Sequence, residues 1–231
     1  MFEIKVDTSA CKSIITGYDS KINDAWCYSD QTFEGGKIYA LVSESGQGCM
    51  YLSYLLGGKM DFKNVRIYLN EKEIHQADLQ KLSHNLEPLE EPYGKFTVRK
   101  AIEKALKDKP GTETFPELAE KFLLTPERFD RKFRHLSGER WRASAAYGYA
   151  MGKKIFYAPY QTSTFYYQMC QSSLLKPLRE LTSSGAMIFL PVGSDAFLKH
   201  IADEVIYLDR QYDTAQLKQF YSGLFGSDWV N

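Results

Sequence analysis

The sequence has little that would suit it to a polyanion, a membrane or an oxidising compartment. Its 29 basic and 29 acidic side chains give a formal net charge of +0, so we expect no nucleic-acid partner, since such proteins usually carry an excess of Lys and Arg. No run approaches the roughly 18 apolar residues of a membrane span, and the opening residues are not typical of a signal peptide. The four cysteines form no CxxC pair, which argues against structural zinc or a disulfide framework. We therefore expect a cytoplasmic protein.

The chain does have an alternation of strand and helix patterns in 231 residues, 44% of them hydrophobic. Apolar runs predict strands, and stretches of helical spacing between them predict helices. Such an alternation implies a three-layer α/β core with a mainly parallel sheet. We expect a single domain over residues 1–231, with antiparallel strands near the N-terminus and an inserted helical subdomain at about 88–145. The predicted strands are 2–6, 26–33, 37–42, 155–158, 187–190 and 205–208, and the main predicted helices are 50–56, 98–106, 139–151, 168–181 and one after 214.

A glycine-containing loop joins the predicted strand 37–42 to the helix that follows it. In phosphate loops of this layout, backbone N–H groups of the turn and of the helix N-terminus surround an anion. A lysine then reaches the phosphates, and a Ser or Thr hydroxyl holds Mg²⁺. Gly46 and Gly48 retain the backbone part of this arrangement.

Four segments, in order, carry a specific resemblance. The segment IYALVSESGQG resembles the phosphate loop of P-loop nucleotide hydrolases, and EEPYGKFTVRKAI resembles a Q-loop and the helix after it. Downstream, HLSGERWRASAAYGYAMGKKIFY resembles a signature motif, its helix and a Walker B strand, and SSGAMIFLPVGSDAFLKHIADEVIYLDR resembles a switch-histidine region. From about residue 33 to 210 the chain is thus similar to ATP-binding-cassette (ABC) transporter ATPase subunits. This resemblance implies a P-loop ATPase core with a helical lobe.

The resemblance also shows which side chains of the phosphate loop are lost. Cys49 stands where the family has its lysine, and Met50 and Tyr51 replace the Ser/Thr positions. One interpretation of Cys49 is a nucleophile at a helix N-terminus, but no His lies near it in sequence, so we interpret it as a small inert residue. The positions equivalent to the phosphate loop are Ser43, Glu44, Ser45, Gly46, Gln47, Gly48, Cys49, Met50 and Tyr51.

The other catalytic positions of the family are lost as well. Pro159 and Tyr160 stand at the Walker B aspartate and glutamate, Ser194 at the switch histidine, and Glu90 at the Q-loop glutamine. Neither Pro nor Tyr takes a proton from water or holds a metal ion near neutral pH. We therefore assign no catalytic residue and no metal site, and we expect the isolated chain not to hydrolyse ATP.

The signature motif is better preserved, as Leu136, Ser137, Gly138 and Glu139. In the family this loop closes over ATP held by the partner subunit. The resemblance implies a degenerate subunit that pairs with an active ABC ATPase subunit and a membrane permease, peripheral on the inner face of the cell membrane. ATP and Mg²⁺ are then expected only at a site shared with the partner. Two alternatives stay open: a scaffold or regulatory protein with a relic ABC fold, and a diverged hydrolase that uses other residues.

Overall fold

The computed structural model describes residues 2–9, 14–15, 25–26, 30–43, 47–60, 65–87, 96–108 and 113–208. The predicted helix after 214 lies outside these residues. Within them the chain forms three sheets, of five, four and two strands. The strands are β1 (Glu3–Asp7), β2 (Ile14–Ile15), β3 (Ala25–Trp26), β4 (Gln31–Glu34), β5 (Ile38–Val42), β6 (Arg66–Leu69), β7 (Lys72–Ile74), β8 (Ser83–Asn85), β9 (Ile155–Tyr157), β10 (Met187–Val192) and β11 (Glu204–Tyr207).

The largest sheet is parallel, in the order β11-β5-β10-β9-β8. Its central strands β5 and β10 are buried along their whole length, as expected for strands covered on both faces. A four-stranded antiparallel sheet has the order β4-β1-β6-β7. The predicted three-layer α/β class with N-terminal antiparallel strands is therefore confirmed.

The side chains of strand β5 point to both faces of the parallel sheet. Tyr39 and Leu41 point into one apolar cluster, shared with the helix Gln47–Leu56 and the antiparallel sheet. Ile38, Ala40 and Val42 point to the opposite face and pack in a second apolar cluster with the helices between residues 98 and 183. Because successive strand side chains alternate between faces, this short run contributes to both halves of the core.

Seven α-helices occur in the described part of the chain. Three of them lie between β8 and β9, together with two short 3₁₀ turns at Pro126–Arg128 and Phe133–His135. This is where the sequence predicts the inserted helical subdomain. The helices are α1 (Gln47–Leu56), α2 (Gln76–Leu82), α3 (Val98–Asp108), α4 (Phe115–Lys121), α5 (Glu139–Ala150), α6 (Ser163–Met169) and α7 (Leu175–Ser183).

Two predicted elements are wrong in detail. The predicted helix 168–181 is interrupted: α6 and α7 are joined by a π-helical stretch, Cys170–Leu174, in which Ser173 has a φ of 124°. The predicted strand 26–33 includes parts of two strands that belong to different sheets, β3 paired with β2 and β4 paired with β1. Local periodicity reports burial and does not identify a change of pairing partner.

Candidate functional site

The phosphate-loop equivalent begins at the carboxyl end of β5. Ser43 is buried there, and α1 starts at Gln47. Glu44, Ser45 and Gly46 lie outside the described residues, so the expected glycine turn stays a prediction. Gly48 and Cys49 are buried in the first turn of α1.

Cys49 is directed into the core. Its thiol donates to the carbonyl of Val192 on β10 at 3.4 Å, and its own amide donates to the Ser43 hydroxyl at 3.3 Å. Burial raises the pKa of this thiol, so it is held neutral. A reactive cysteine needs the thiolate, and this environment disfavours it. The interpretation of Cys49 as an inert packing residue agrees with this geometry.

Met50 and Tyr51 follow on the same turn and are half-buried. A thioether and a neutral phenol do not suit Mg²⁺, which prefers carboxylate, phosphate and water oxygens. The residues at this end of α1 therefore do not fit the Mg²⁺-ATP complex that the fold family holds there.

The Walker B-equivalent residues come directly after β9. The carbonyl of Pro159 accepts a hydrogen bond from the Tyr166 hydroxyl at 2.8 Å, and Ser53 of α1 donates to the carbonyl of Ala158 at 2.9 Å. The backbone groups at this strand end are thus bonded to neighbouring elements. Proline offers no side-chain ligand in addition.

Tyr160 connects this position to the loop after β10. A Cβ atom built on Gly193 would lie 2.5 Å from the Tyr160 hydroxyl oxygen, so a larger residue there would require the Tyr160 side chain to move. The neighbouring Ser194, at the switch-histidine position, is exposed, and its hydroxyl accepts from the Ala196 amide at 3.2 Å. The structure therefore brings the Walker B and switch equivalents together, but without a carboxylate base or an imidazole at either position.

Tyr166 occupies the interior next to these positions. It is fully buried, and burial raises the pKa of its hydroxyl well above its usual range, with Cys49 and Glu87 close enough to raise it further. Its ring contacts Trp141 of α5 edge-on, with the ring centroids 5.9 Å apart. An aromatic side chain thus occupies the interior between α1, the end of β9 and α5.

Glu87 is a carboxylate that the sequence analysis did not single out. It follows β8, where the amide of Leu86 bonds the carbonyl of Tyr157 at 2.8 Å, and it pairs with Arg140 and with Gln161. The predicted Q-loop position Glu90 lies outside the described residues. The available sequence signal for Glu87 was a carboxylate directly before a proline. This signal could not be placed at a strand end, because β8, the strand next to β9, was not predicted.

The signature loop precedes α5 and has a different character. Leu136 is buried, whereas Ser137 and Gly138 are exposed. Leu136 has right-handed helical dihedral angles and Ser137 a left-handed φ of 50°, the kind of succession that turns consecutive amides toward one concavity. Within the described part of the chain, the amides of Ser137 and Gly138 have no hydrogen-bond partner. These two donors and the α5 N-terminus suit an anion.

Glu139 has a structural part in this loop. Its buried carboxylate accepts from the amide and the hydroxyl of Thr125, at 2.7 and 2.8 Å, and pairs with Arg128 at 3.0 Å. Arg142 also lies 3.5 Å from it. Thr125 is the N-cap residue of the 3₁₀ turn Pro126–Arg128, but its side chain makes no cap bond and binds Glu139 instead. Glu139 thus fixes the loop from behind while Ser137 faces outward.

A cavity of about 280 Å³ adjoins the exposed part of the loop. Its lining includes Ser137, Gly138, Arg128, Arg142, Met169 and Ser172. Two guanidinium groups share the single Glu139 carboxylate here. The charge around this cavity is therefore positive on balance, in keeping with an anionic ligand.

Among the residues that the structure describes, no three His, Cys, Asp or Glu side chains come together as a metal-binding group. No helix in the same ranges is long and apolar enough to cross a membrane.

Comparison with known proteins gives a match in fold but not in sequence. No family model and no curated protein matches the chain. Among solved structures, cbiO1 of Clostridium perfringens, described as part of the ABC transporter complex cbiONQ, is 14% identical over 90% of this chain and 84% of its own, with a TM-score of 0.65. An ATP-binding subunit of an ABC transporter is 18% identical over 98% and 97%, with a TM-score of 0.62. The chain has the ATP-binding-cassette fold.

In a third match, this chain corresponds to part of a longer protein. A bacterial Atm1-family ABC exporter with ATP bound is 16% identical over 99% of this chain but 41% of its own, with a TM-score of 0.61. At these identities the likeness concerns the cassette fold alone. The resemblance drawn from the four sequence segments is confirmed at that level.

Proposed function

We propose that this protein is a non-hydrolysing cassette subunit that pairs with an active ABC ATPase subunit and supplies its Leu136–Glu139 signature to the partner's ATP. The observation that carries the proposal is a contrast within one fold. The chain's own phosphate-loop side holds residues that do not fit Mg²⁺-ATP, whereas the signature loop presents two exposed amides and the Ser137 hydroxyl.

ATP and Mg²⁺ would then bind at a site shared between two chains. The partner would provide the lysine and the Mg²⁺ ligands, which this chain lacks at Cys49, Met50 and Pro159. Ser137 and Gly138 would bind phosphate oxygens through their amides, and α5 would direct its N-terminus toward the same group. When bound, Mg²⁺ neutralises phosphate charge; this chain's share is to orient the anion and exclude water.

The proposed assembly includes a membrane permease. Support comes from the cassette fold, since one neighbour of this fold is described as part of a transporter complex. By resemblance to the family, we assign the permease contact to the helices between β8 and β9; the Q-loop-equivalent Glu90 lies outside the described residues.

The test is a single substitution in the native complex, isolated through a tag on this chain. Ser137→Arg places a long cation at an exposed position where the anion would bind, and it should abolish most of the ATPase activity of the complex. Ser183→Arg, the same change at an exposed serine in the last turn of α7, should leave that activity unchanged. Both variants are compared at matched assembly.

Two outcomes would contradict the proposal. Equal ATPase activity of the Ser137→Arg and wild-type complexes would show that the signature is a remnant, and a relic-fold scaffold would then be the better account. Absence of any ATPase subunit from the purified complex would lead to the same conclusion.

A further inference from the structure

Three polar side chains meet at the carboxyl edge of the parallel sheet, close to the signature loop. The Glu87 carboxylate contacts the Arg140 guanidinium through one oxygen, and its other oxygen accepts from the Gln161 amide group at 3.5 Å. The side chain of Glu87 is 10% exposed and that of Arg140 28%. This cluster of Glu87, Arg140 and Gln161 is therefore largely removed from solvent.

Two members of the cluster are fixed to the sheet. Glu87 follows β8, which pairs with β9, and its amide donates to the Asn85 side chain at 3.1 Å. Gln161 donates its amide to the carbonyl of Pro191 at 3.3 Å and forms a bridge to Val192. Their positions are therefore set by backbone bonds to the central strands.

The third member belongs to the helix that carries the signature. Arg140 is in the first turn of α5, and its amide bonds the carbonyl of Ser137 at 3.1 Å. Its Nε atom is buried and has no hydrogen-bond partner among the described residues. Within the described ranges, the contact with Glu87 is thus the principal polar attachment of this guanidinium.

Adjacent residues of α5 are anchored in opposite directions. Glu139 binds Thr125 and Arg128 in the helical region between β8 and β9, whereas Arg140 binds the sheet through Glu87. A buried ionic pair is weak evidence for overall stability, and in some proteins such a pair fixes one geometry. The two contacts join the signature end of α5 both to the helical region and to the sheet.

We infer that Glu87 is a positioning residue: by pairing with Arg140 it fixes the first turn of α5, and with it the signature loop, against the carboxyl edge of the parallel sheet. The middle of α5 is attached separately, since Ser144 bonds His84 and the carbonyl of Asn85, each at 2.9 Å. Loss of the Glu87 contact should therefore release the signature end of the helix and leave its middle in place.

The test measures a distance in the isolated full chain and needs neither nucleotide nor partner. Spin labels are attached at Arg134→Cys, exposed two residues before Leu136, and at Lys72→Cys, exposed on β7, in a background where Cys11 and Cys27 are replaced by serine. Pulsed electron resonance then gives the distribution of distances between the loop and the antiparallel sheet. Glu87→Gln keeps the shape of the side chain and removes its charge, and Arg140→Gln removes the opposite partner.

Arg179→Gln is the matched control, since it breaks a guanidinium–carboxylate pair with Asp203, 2.7 Å apart, away from the signature loop. We expect a broader or shifted distribution for Glu87→Gln and for Arg140→Gln, and the wild-type distribution for Arg179→Gln. A wild-type distribution in both cluster variants would overturn the inference. Equal broadening in the control would overturn it as well, because a general loosening would then explain the result.

Discussion

The phosphate-loop side of this protein and its signature loop differ in whether their backbone polar groups have hydrogen-bond partners. At the first, the Cys49 amide is bonded to Ser43, the Pro159 carbonyl to Tyr166, and an aromatic ring fills the interior beside them. At the second, the neighbouring amides of Ser137 and Gly138 face outward with no partner in the described part of the chain.

Under the proposed function, these are the two halves of a composite site shared with a partner. The residues at the positions of the family's lysine, metal ligand and base are packed into the interior, so they should contribute to stability. The half proposed to serve a partner has exposed donors, which add little to folding. We therefore expect large stability effects on the first side and small ones on the second.

The largest predicted change in stability is a loss in acid, caused by protonation of the buried His84, which contacts α5. Burial lowers the pKa of His84 from 6.5 to about 3, with the charge of Lys153 adding to the shift. The unfolded chain binds this proton at higher pH, so stability is complete above about pH 6.5 and falls as the pH decreases toward 3. The difference between the two pKa values corresponds to a loss of about 4 to 5 kcal/mol in the free energy of unfolding. Urea unfolding of wild type and His84→Met across this interval measures it.

His200→Gln, a change at an exposed histidine, is the control and should keep the wild-type pH profile. If His84→Met kept that profile too, His84 would not be the group that titrates. The pH dependence would then give no evidence for the attachment of the middle of α5 to β8.

The next largest effect should be that of Tyr166→Ala. Removing a fully buried aromatic ring leaves a cavity and an unbonded Pro159 carbonyl, which should cost about 3 to 5 kcal/mol in the free energy of unfolding. Tyr207→Ala, at a ring that is 56% exposed, should cost far less. Equal costs, measured by urea unfolding, would contradict the view that the Walker B side has become packing.

Cys49→Lys tests whether the phosphate loop can be restored by one residue. An ammonium group at this fully buried position would lack a partner, so we expect destabilisation of about 3 kcal/mol and no gain of ATP hydrolysis. Cys49→Ala is the matched variant that keeps the position small and uncharged. A Cys49→Lys protein as stable as Cys49→Ala would show that the space for a phosphate-binding lysine persists.

The smallest effect should be that of Ser137→Arg on stability. The position is exposed and already has a left-handed φ of 50° occupied by a residue with a side chain, so the change should stay within about 0.5 kcal/mol. Calorimetry of the isolated chain measures this value. A large loss would mean that Ser137 supports the fold, and activity data on that variant would need a different explanation.

Some elements were predictable because burial on both faces leaves a distinct pattern. The runs at β5 and β10 are almost wholly apolar, and the parallel sheet followed from their alternation with helices. The assignment of Cys49 to the phosphate-loop lysine position and of Pro159 and Tyr160 to the Walker B acids comes from the sequence resemblance and stays a prediction.

Other features depend on contacts between distant segments. Glu87 meets Arg140 and Gln161 only because β8 lies beside β9, and the strand β8 has no apolar run to predict it. Tyr160, which follows β9, approaches Gly193, which follows the neighbouring strand β10. The break at Ser173 is a change of helix geometry within a continuous helical pattern. Neither local propensity nor periodicity contains this information.

The most direct test of the account is phosphate release by the purified chain alone with Mg²⁺-ATP. Pro159, Tyr160 and Ser194 leave no general base, metal ligand or switch imidazole at the family's positions, so release should equal the rate in buffer. A variant in which Tyr160 is changed to Phe should behave identically and exposes any contaminating ATPase. A turnover of about 1 per second or more, typical of enzymes, that follows the chain through purification and changes in the Tyr160 variant would contradict the account.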